Sequence, residues 1–127
     1  ERGLERAARK RIERWRRIAR EASEQSRRAI LPEIAEPVAF GGVLQNPAMY
    51  RYALDEEPGA ETLAHALPGS RDPSATVALL IGPEGGWTGE ERAAFRKAGW
   101  SPVSLGGLIL RAETAAIAAL AVIRAAW

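Results

Sequence analysis

The sequence predicts an α/β fold in which a mostly parallel sheet carries helices on both faces. Strand-like and helical patterns alternate along the chain, as they do in proteins with parallel sheets. Residues 77–81 are apolar on both faces, which is typical of a strand in the middle of a parallel sheet. Twice between residues 77 and 114, an apolar run ends in a glycine turn and a helix follows. These observations favour a ligand site at the carboxyl edge of the sheet, where such turns meet.

The first element is a long amphipathic helix over residues 3–27, because apolar residues recur there every three or four positions. The apolar stripe consists of Leu4, Ala8, Ile12, Trp15, Ala19 and Ala22. We expect this stripe to pack on a sheet, with the arginines facing outward.

Shorter elements follow. The pattern predicts a short helix over residues 39–45, a strand over 49–54 that ends in a turn, and a short helix near 61–66. After the strand over 77–81, Thr88 and Glu91 form a capping box for a helix over 89–98, and Gly99 follows its end.

A strand over residues 101–105 and a helix over 115–127 complete the predicted fold. The last helix is rich in alanine and apolar almost all round. A helix without a polar face is usually buried on several sides, so we expect the sheet or a second subunit to cover it.

Composition excludes several function classes. The 127 residues contain no cysteine, which leaves no disulfide, no thiolate metal site and no cysteine nucleophile. His65 is the single histidine, so a histidine-rich metal site is excluded, and we expect His65 at the surface of its short helix. The longest apolar run, residues 115–123, is far shorter than the roughly 20 residues that span a bilayer. Without a signal peptide pattern, we expect a cytoplasmic protein with neither a membrane partner nor a metal.

Charge is unevenly distributed. Residues 1–28 hold eleven Arg and Lys against five Glu, a net +6, whereas the whole chain is only +2. This polarity is typical of a protein with a polyanionic partner near its first helix. The alternative is a solvated helix stabilised by i,i+4 ion pairs such as Glu5–Arg9 and Glu13–Arg17.

Two glycine turns are the candidate binding elements. Residues 82–86, Gly-Pro-Glu-Gly-Gly, match neither a dinucleotide fingerprint nor a P-loop, and by themselves they indicate only a tight connection. Residues 105–110, Leu-Gly-Gly-Leu-Ile-Leu, form an apolar loop. An apolar loop beside a glycine turn suits a flat apolar ligand, such as an adenine ring held by main-chain groups.

Charged residues follow the second turn. Arg111 is a candidate electrostatic stabiliser of negative charge on a substrate, and Glu113 a candidate base or orienting group. Equally, Glu113 could complement the dipole of the last helix, with Arg111 as its ion-pair partner. Trp87 is interpreted as a packing residue or as a base-stacking one. Residues 55–57 are interpreted as a solvated acidic turn.

Taken together, these residues resemble the RsmE family, SPOUT-superfamily methyltransferases that form 3-methyluridine in small-subunit ribosomal RNA. The similarity runs in order along essentially the whole chain. It rests on Arg14-Trp15, on Glu21-Ala22 with Gln25-Ser26 and Arg28, on Pro32-Glu33-Ile34, on residues 81–86, and on residues 105–115. The Gly-Pro-Glu-Gly-Gly and Leu-Gly-x-x-Ile-Leu-Arg-x-Glu-Thr segments together are the specific part.

The resemblance implies a C-terminal trefoil knot, bound S-adenosylmethionine, a homodimer and ribosomal RNA as partner. By motif, Arg111 and Glu113 would face the methyl group and the target base, while Gln25 and Arg28 would lie on the RNA side. The cofactor pocket would use Leu54, Ile81, Gly82, Gly85, Leu105, Gly106, Ile109 and Leu110.

The chain also departs from the family pattern. The expected N-terminal RNA-binding β-barrel and the opening strand and helix of the methyltransferase domain are missing, so residues 1–127 are interpreted as an N-terminally truncated SPOUT domain. Arg27 stands where a glycine is common. Two further functions stay open, namely another SPOUT activity such as ribose methylation, and a non-catalytic basic RNA-binding module.

Overall fold

The computed structural model describes residues 2–107 and 110–127. It contains two compact units, Glu1–Ala39 and Phe40–Trp127, and each is described by itself below.

The first unit is built on α1 (Arg2–Gln25), which confirms the predicted long helix. The helix ends in a Schellman motif, because Arg28 N–H donates to the Ser23 carbonyl and Arg27 N–H donates to the Glu24 carbonyl. Arg27 therefore adopts a positive φ of 55°. This conformation favours glycine, in agreement with the expectation that the RsmE family pattern has a glycine at this position.

The apolar stripe of α1 is covered only in part. Ile12 is buried, whereas the side chains of Leu4 and Trp15 are 77% and 51% exposed. The expectation that the whole stripe is packed is therefore wrong for these two residues and for Ala22, which is also exposed. Within the first unit, the segment after α1 is held against the helix by polar contacts. Arg16 of α1 donates a hydrogen bond to the Ile34 carbonyl at 2.8 Å and forms an ion pair with Glu36.

The second unit contains three strands and four helices in the described residues. In chain order they are α2 (Phe40–Val43), β1 (Tyr50–Leu54), α3 (Leu63–Ala66), β2 (Val77–Leu80), α4 (Gly89–Lys97), β3 (Ser101–Val103) and α5 (Ala112–Ala126). The strand order is β2-β1-β3, and both pairings are parallel. Tyr52 of β1 lies opposite Leu79 on one side and Ser101 on the other. The predicted parallel sheet is thus confirmed.

Helices cover both faces of this sheet, as predicted. Neighbouring residues of a strand point to opposite faces, so adjacent residues of β1 contact different helices. Ala53 faces the core cluster that α4 completes with Phe95, while Tyr52 faces the cluster that α5 completes with Ala119. Three of these four residues are fully buried and Tyr52 is only 4% exposed, so each face has its own close-packed core.

The last two helices of the unit, α4 and α5, differ in how well the sequence predicted them. For α4, the Thr88–Glu91 capping box is present and Gly99 has the expected positive φ. For α5, the helix begins three residues earlier than predicted, and the sheet alone does not bury it on several sides, so cover by a second subunit stays a prediction. Its side chains Ile117 and Leu120 are 71% and 54% exposed, because the sheet covers only the face that contains Ala119.

Candidate functional site

A broad cleft of about 1360 Å³ lies at the carboxyl edge of the sheet. Its walls come from the ends of the strands and the segments that follow them, residues 54–60 at β1, 81–87 after β2, and 103–107 with 110–112 at β3. Three parallel strands that end at one edge deliver their loops to one place, which is the general location of ligand sites in such sheets. The cleft exceeds the usual size of small-ligand pockets, about 300–1,000 Å³.

Most of the predicted site residues meet in this cleft. Those that line it are Leu54, Ile81, Gly82, Gly85, Leu105, Gly106, Leu110 and Arg111. Ile109 lies outside the described residues. Glu113 is exposed in the first turn of α5 and is not among the residues that line the cleft. Gln25 and Arg28 are exposed residues of the first unit, at the end of α1 and just beyond it.

The glycines of the two turns leave open space in the cleft. A Cβ atom added to Gly85, Gly86, Gly106 or Gly107 would meet no other heavy atom within 4 Å. Gly86 and Gly106 also have positive φ values of 77° and 109°, which side chains other than glycine rarely adopt. A ligand can therefore approach the main chain of both turns closely.

Gly82 has a different role from the other glycines. A Cβ atom there would lie 2.8 Å from Cε2 of Trp87, which is shorter than packed carbon atoms tolerate. The indole of Trp87 is buried, with Phe40 and Phe95 ring centroids 5.7 and 5.5 Å away. Its Nε1 donates to the Leu54 carbonyl at 2.8 Å. The packing interpretation of Trp87 thus accounts for Gly82 as well.

Sequence reasoning missed the most buried polar group of the cleft. Asp55, expected in a solvated turn, is only 2% exposed. Its carboxylate accepts hydrogen bonds from Nε of Arg92 at 2.9 Å and from Nη2 at 3.0 Å. The expectation was wrong because the burying partner lies on α4, 37 positions away, where no local pattern points to it.

The ion pair sets the protonation of Asp55. Hydrogen bonding by the Arg92 guanidinium lowers the pKa of this carboxyl, against the opposing effect of its burial. A lowered pKa means that the paired carboxylate stabilises the fold above the ordinary pKa. That contribution is lost as the pH falls through the lower folded-state value.

Arg111 occupies an electrostatically unusual position. It is the N-cap residue of α5, with no side-chain cap bond, and it is exposed in the cleft wall. The N-terminus of a helix already carries partial positive charge, so a guanidinium there is disfavoured unless an anion is nearby. Among the described residues, the ion pairs are Arg16–Glu36, Arg92–Asp55, Arg92–Glu57 and Arg96–Glu57, and none joins Arg111 to Glu113. The geometry therefore favours negative charge in this corner of the cleft.

The described residues provide neither a metal-binding cluster nor a helix that could span a membrane. Residues 2–107 and 110–127 contain no cluster of three His, Cys, Asp or Glu side chains arranged to hold a metal ion. Across the same residues, every helix is too short or too polar to cross a bilayer.

Comparison with known proteins gives the family. The family model described as an RNA methyltransferase domain matches residues 1–124. The chain therefore belongs to the RNA methyltransferase domain family. Relatives with the name ribosomal RNA small subunit methyltransferase E are similar to it along most of this chain, which confirms the RsmE resemblance.

The Synechocystis sp. protein of that name is 41% identical over 128 residues, which cover 98% of this chain and 42% of the relative. The Mycobacterium tuberculosis protein is 38% identical, over 86% of this chain and 42% of its own length. The chain thus spans less than half the length of these curated relatives.

Solved structures share the fold. The enzyme of this name from Neisseria gonorrhoeae, bound to S-adenosyl methionine, superposes with a TM-score of 0.82 at 32% identity, over 95% of this chain and 50% of that one. A Legionella pneumophila protein in complex with the bound cofactor SAM gives a TM-score of 0.85 at 34% identity, over 95% and 48%.

The contact between Gly82 and Trp87 leads to a testable prediction. The substitution Gly82→Ala should displace a buried indole and lower the free energy of unfolding by about 1–3 kcal/mol, as overpacking does. The matched change Gly85→Ala meets open space and should alter it by less than about 0.5 kcal/mol. Urea denaturation of both variants measures the difference. Equal destabilisation would contradict the assigned contact.

Proposed function

We propose that residues 1–127 form a SPOUT methyltransferase domain that binds S-adenosylmethionine and methylates ring nitrogen 3 of a uridine in small-subunit ribosomal RNA. The main observation in support is the cleft, because two glycine turns with open space meet the end of β1 at one sheet edge. Two relatives with the same fold are solved with S-adenosylmethionine bound. As part of this proposal, the segment after β3 enters a C-terminal trefoil knot, and the protein acts in the cytoplasm on the small ribosomal subunit.

The residues present fit such a cofactor. Leu54, Ile81, Leu105 and Leu110 supply apolar walls, and Ile109 is proposed to join them. Gly85 and Gly106 allow close approach to the main chain, which suits an adenosyl group recognised by backbone donors and acceptors, and Gly82 is proposed to line the pocket with its main chain. When bound, S-adenosylmethionine would supply the sulfonium methyl group that is transferred.

Arg111 is the residue proposed to stabilise the reacting base. Nitrogen 3 of uracil must lose its proton to accept a methyl group, and loss of the proton leaves negative charge shared between this nitrogen and the two carbonyl oxygens. A guanidinium at the N-terminus of α5 combines its own charge with the helix dipole to favour that anion. Nitrogen 3 lies on the pairing edge, so the base must leave its stack before it can enter the cleft.

Glu113 is proposed to act with Arg111 as an orienting group or base. It is exposed in the first turn of α5, two positions beyond Arg111. It is not among the residues that line the cleft. Gln25 and Arg28 are proposed to contact RNA, together with the basic residues of α1. Such contacts with phosphates make affinity strongly dependent on salt.

Isothermal calorimetry with S-adenosylmethionine tests the proposed function directly. Saturable binding by this chain, with methylated RNA analysed by mass spectrometry, is the expected result. A methyl group on a ribose instead of the base would favour the other SPOUT activity. RNA binding with a steep salt dependence, but no heat with S-adenosylmethionine, would indicate a non-catalytic RNA-binding module.

Removing the charge of Arg111 should slow methyl transfer without abolishing cofactor binding. Loss of a preorganised charge stabiliser costs roughly 2.7–4 kcal/mol in the barrier, so Arg111→Ala should lower kcat by about a hundredfold to a thousandfold. The matched control is Arg71→Ala, an exposed arginine outside the cleft lining. Near-normal methylation by Arg111→Ala with cofactor bound would refute the assignment.

We also propose a homodimer in which α5 contributes to the interface. Ile117 and Leu120 are neighbours on one face of this helix, and both are largely exposed. Light scattering at micromolar concentration should give the mass of a dimer, and Ile117→Lys should shift it towards the monomer. The control Met49→Lys changes an exposed apolar side chain elsewhere and should leave the mass unchanged. A monomeric unsubstituted protein would contradict this proposal.

A further inference from the structure

Two consecutive residues at the end of β1 are held by side chains from the segment that follows β2. The Leu54 carbonyl accepts a hydrogen bond from the Trp87 indole at 2.8 Å. The next residue, Asp55, accepts two bonds from Arg92, which lies one turn into α4. The residues where the chain leaves β1 are therefore attached by two side chains to the segment that follows the first glycine turn. These bonds add to the backbone pairing of β1 with β2 in the sheet.

We propose that the Asp55–Arg92 ion pair is a positioning pair that sets the shape of the cofactor cleft and so determines the affinity for S-adenosylmethionine. This inference rests on the proposed function. Both residues line the cleft, but neither is among the residues proposed to hold the cofactor. They act on binding through the loop at residues 55–60, which forms one wall.

The geometry of Asp55 fixes the start of that loop from three directions. Its N–H donates to the Val103 carbonyl at 2.9 Å, which continues the pairing of β1 with β3. One carboxylate oxygen accepts from Arg92 alone, and the other accepts from Arg92 and from the Glu57 N–H at 3.3 Å. The carboxylate thus joins α4 to the backbone of the loop. Removing its charge would weaken both connections together, because an amide offers one acceptor oxygen in place of two charged ones.

The rest of the loop is attached at its outer turn and at its far end. Glu57 pairs with Arg96 at 2.9 Å, one helical turn beyond Arg92, but both side chains are about half exposed. At the far end, Ser104 N–H donates to the Glu61 carbonyl, and Leu63 N–H donates to the Ser104 carbonyl. The Asp55–Arg92 pair is partly buried, because the Arg92 side chain is 29% exposed and that of Asp55 only 1%. It is therefore screened less by water than the Glu57–Arg96 pair and should dominate the loop's position.

The difference between these two ion pairs provides a matched experiment. Asp55→Asn keeps the side-chain shape but removes the charge, and Arg92→Lys keeps the charge but loses the two-point fork. Arg96→Gln, the control, breaks the exposed pair on the same helix and lies outside the cleft lining. Calorimetry with S-adenosylmethionine measures Kd. Initial rates of RNA methylation, with saturating RNA and varied S-adenosylmethionine, separate KM from kcat.

We expect Asp55→Asn to raise the Kd and the KM for S-adenosylmethionine about tenfold or more, since small displacements of a binding wall have effects of this size. The kcat at saturating S-adenosylmethionine should stay within about twofold. Arg92→Lys should show a smaller rise in Kd than Asp55→Asn, and Arg96→Gln should show none. Circular dichroism at the assay temperature establishes that each variant is folded, and Arg92→Lys provides the test if Asp55→Asn does not fold.

Two results would overturn the inference while leaving the proposed function intact. One is an unchanged Kd in both Asp55→Asn and Arg92→Lys, with the unsubstituted chain binding normally. The other is a fall in kcat at constant KM, which would place the pair in the chemical step. Failure of the unsubstituted chain to bind S-adenosylmethionine would instead overturn the proposed function, and the inference with it.

Discussion

The central position of β1 between two parallel partners is the constraint on which the site depends. Because β2 and β3 both run parallel to β1, all three strands end at the same edge. An antiparallel partner would send its following loop to the opposite edge and leave the cleft with two walls. The register matters as well, since Asp55 extends the ladder with β3 by one bond beyond the last strand residue. The sheet therefore creates the site before any side chain contributes to it.

Side chains then determine the shape of that edge. Trp87 and Arg92 lie on the same connection, and they hold Leu54 and Asp55 respectively. The position of Gly82 follows from the same arrangement, because the indole occupies the space that a Cβ atom would need. A glycine in a binding motif can thus be required by the protein's own packing. At Gly85 and Gly106, where the space is open, the absence of a side chain leaves room for a ligand.

The predictable parts of the structure are those fixed by neighbours in sequence. The capping box at Thr88 and Glu91 is formed by residues three positions apart, and the residues that predict strand β1 lie within one short run that ends in a turn. The meeting of the two glycine turns was also predictable, because parallel strands impose it. The burial of Asp55 was not, since it requires Arg92 on a distant helix.

The exposure of Ile117 was unpredictable for a related reason. Hydrophobicity shows that a helix face can be buried, but only the packed neighbours decide whether it is. The first turn of α5 illustrates the same limit, because the helix begins at Ala112 and makes Arg111 an N-cap residue. An arginine is an unfavourable choice at that position, so its electrostatic role became apparent only from the fold.

The left-handed residue that ends α1 has a consequence for charge. A side chain other than glycine in this conformation costs roughly 1–2 kcal/mol. Cations near the C-terminus of a helix regain about 0.3–1 kcal/mol each from the dipole, so Arg27 offsets only part of its own strain. The remainder is a small fraction of the stability of an ordinary domain, about 5–15 kcal/mol. In return, α1 terminates in two adjacent guanidinium groups, and its negative pole is neutralised more fully than a glycine would allow.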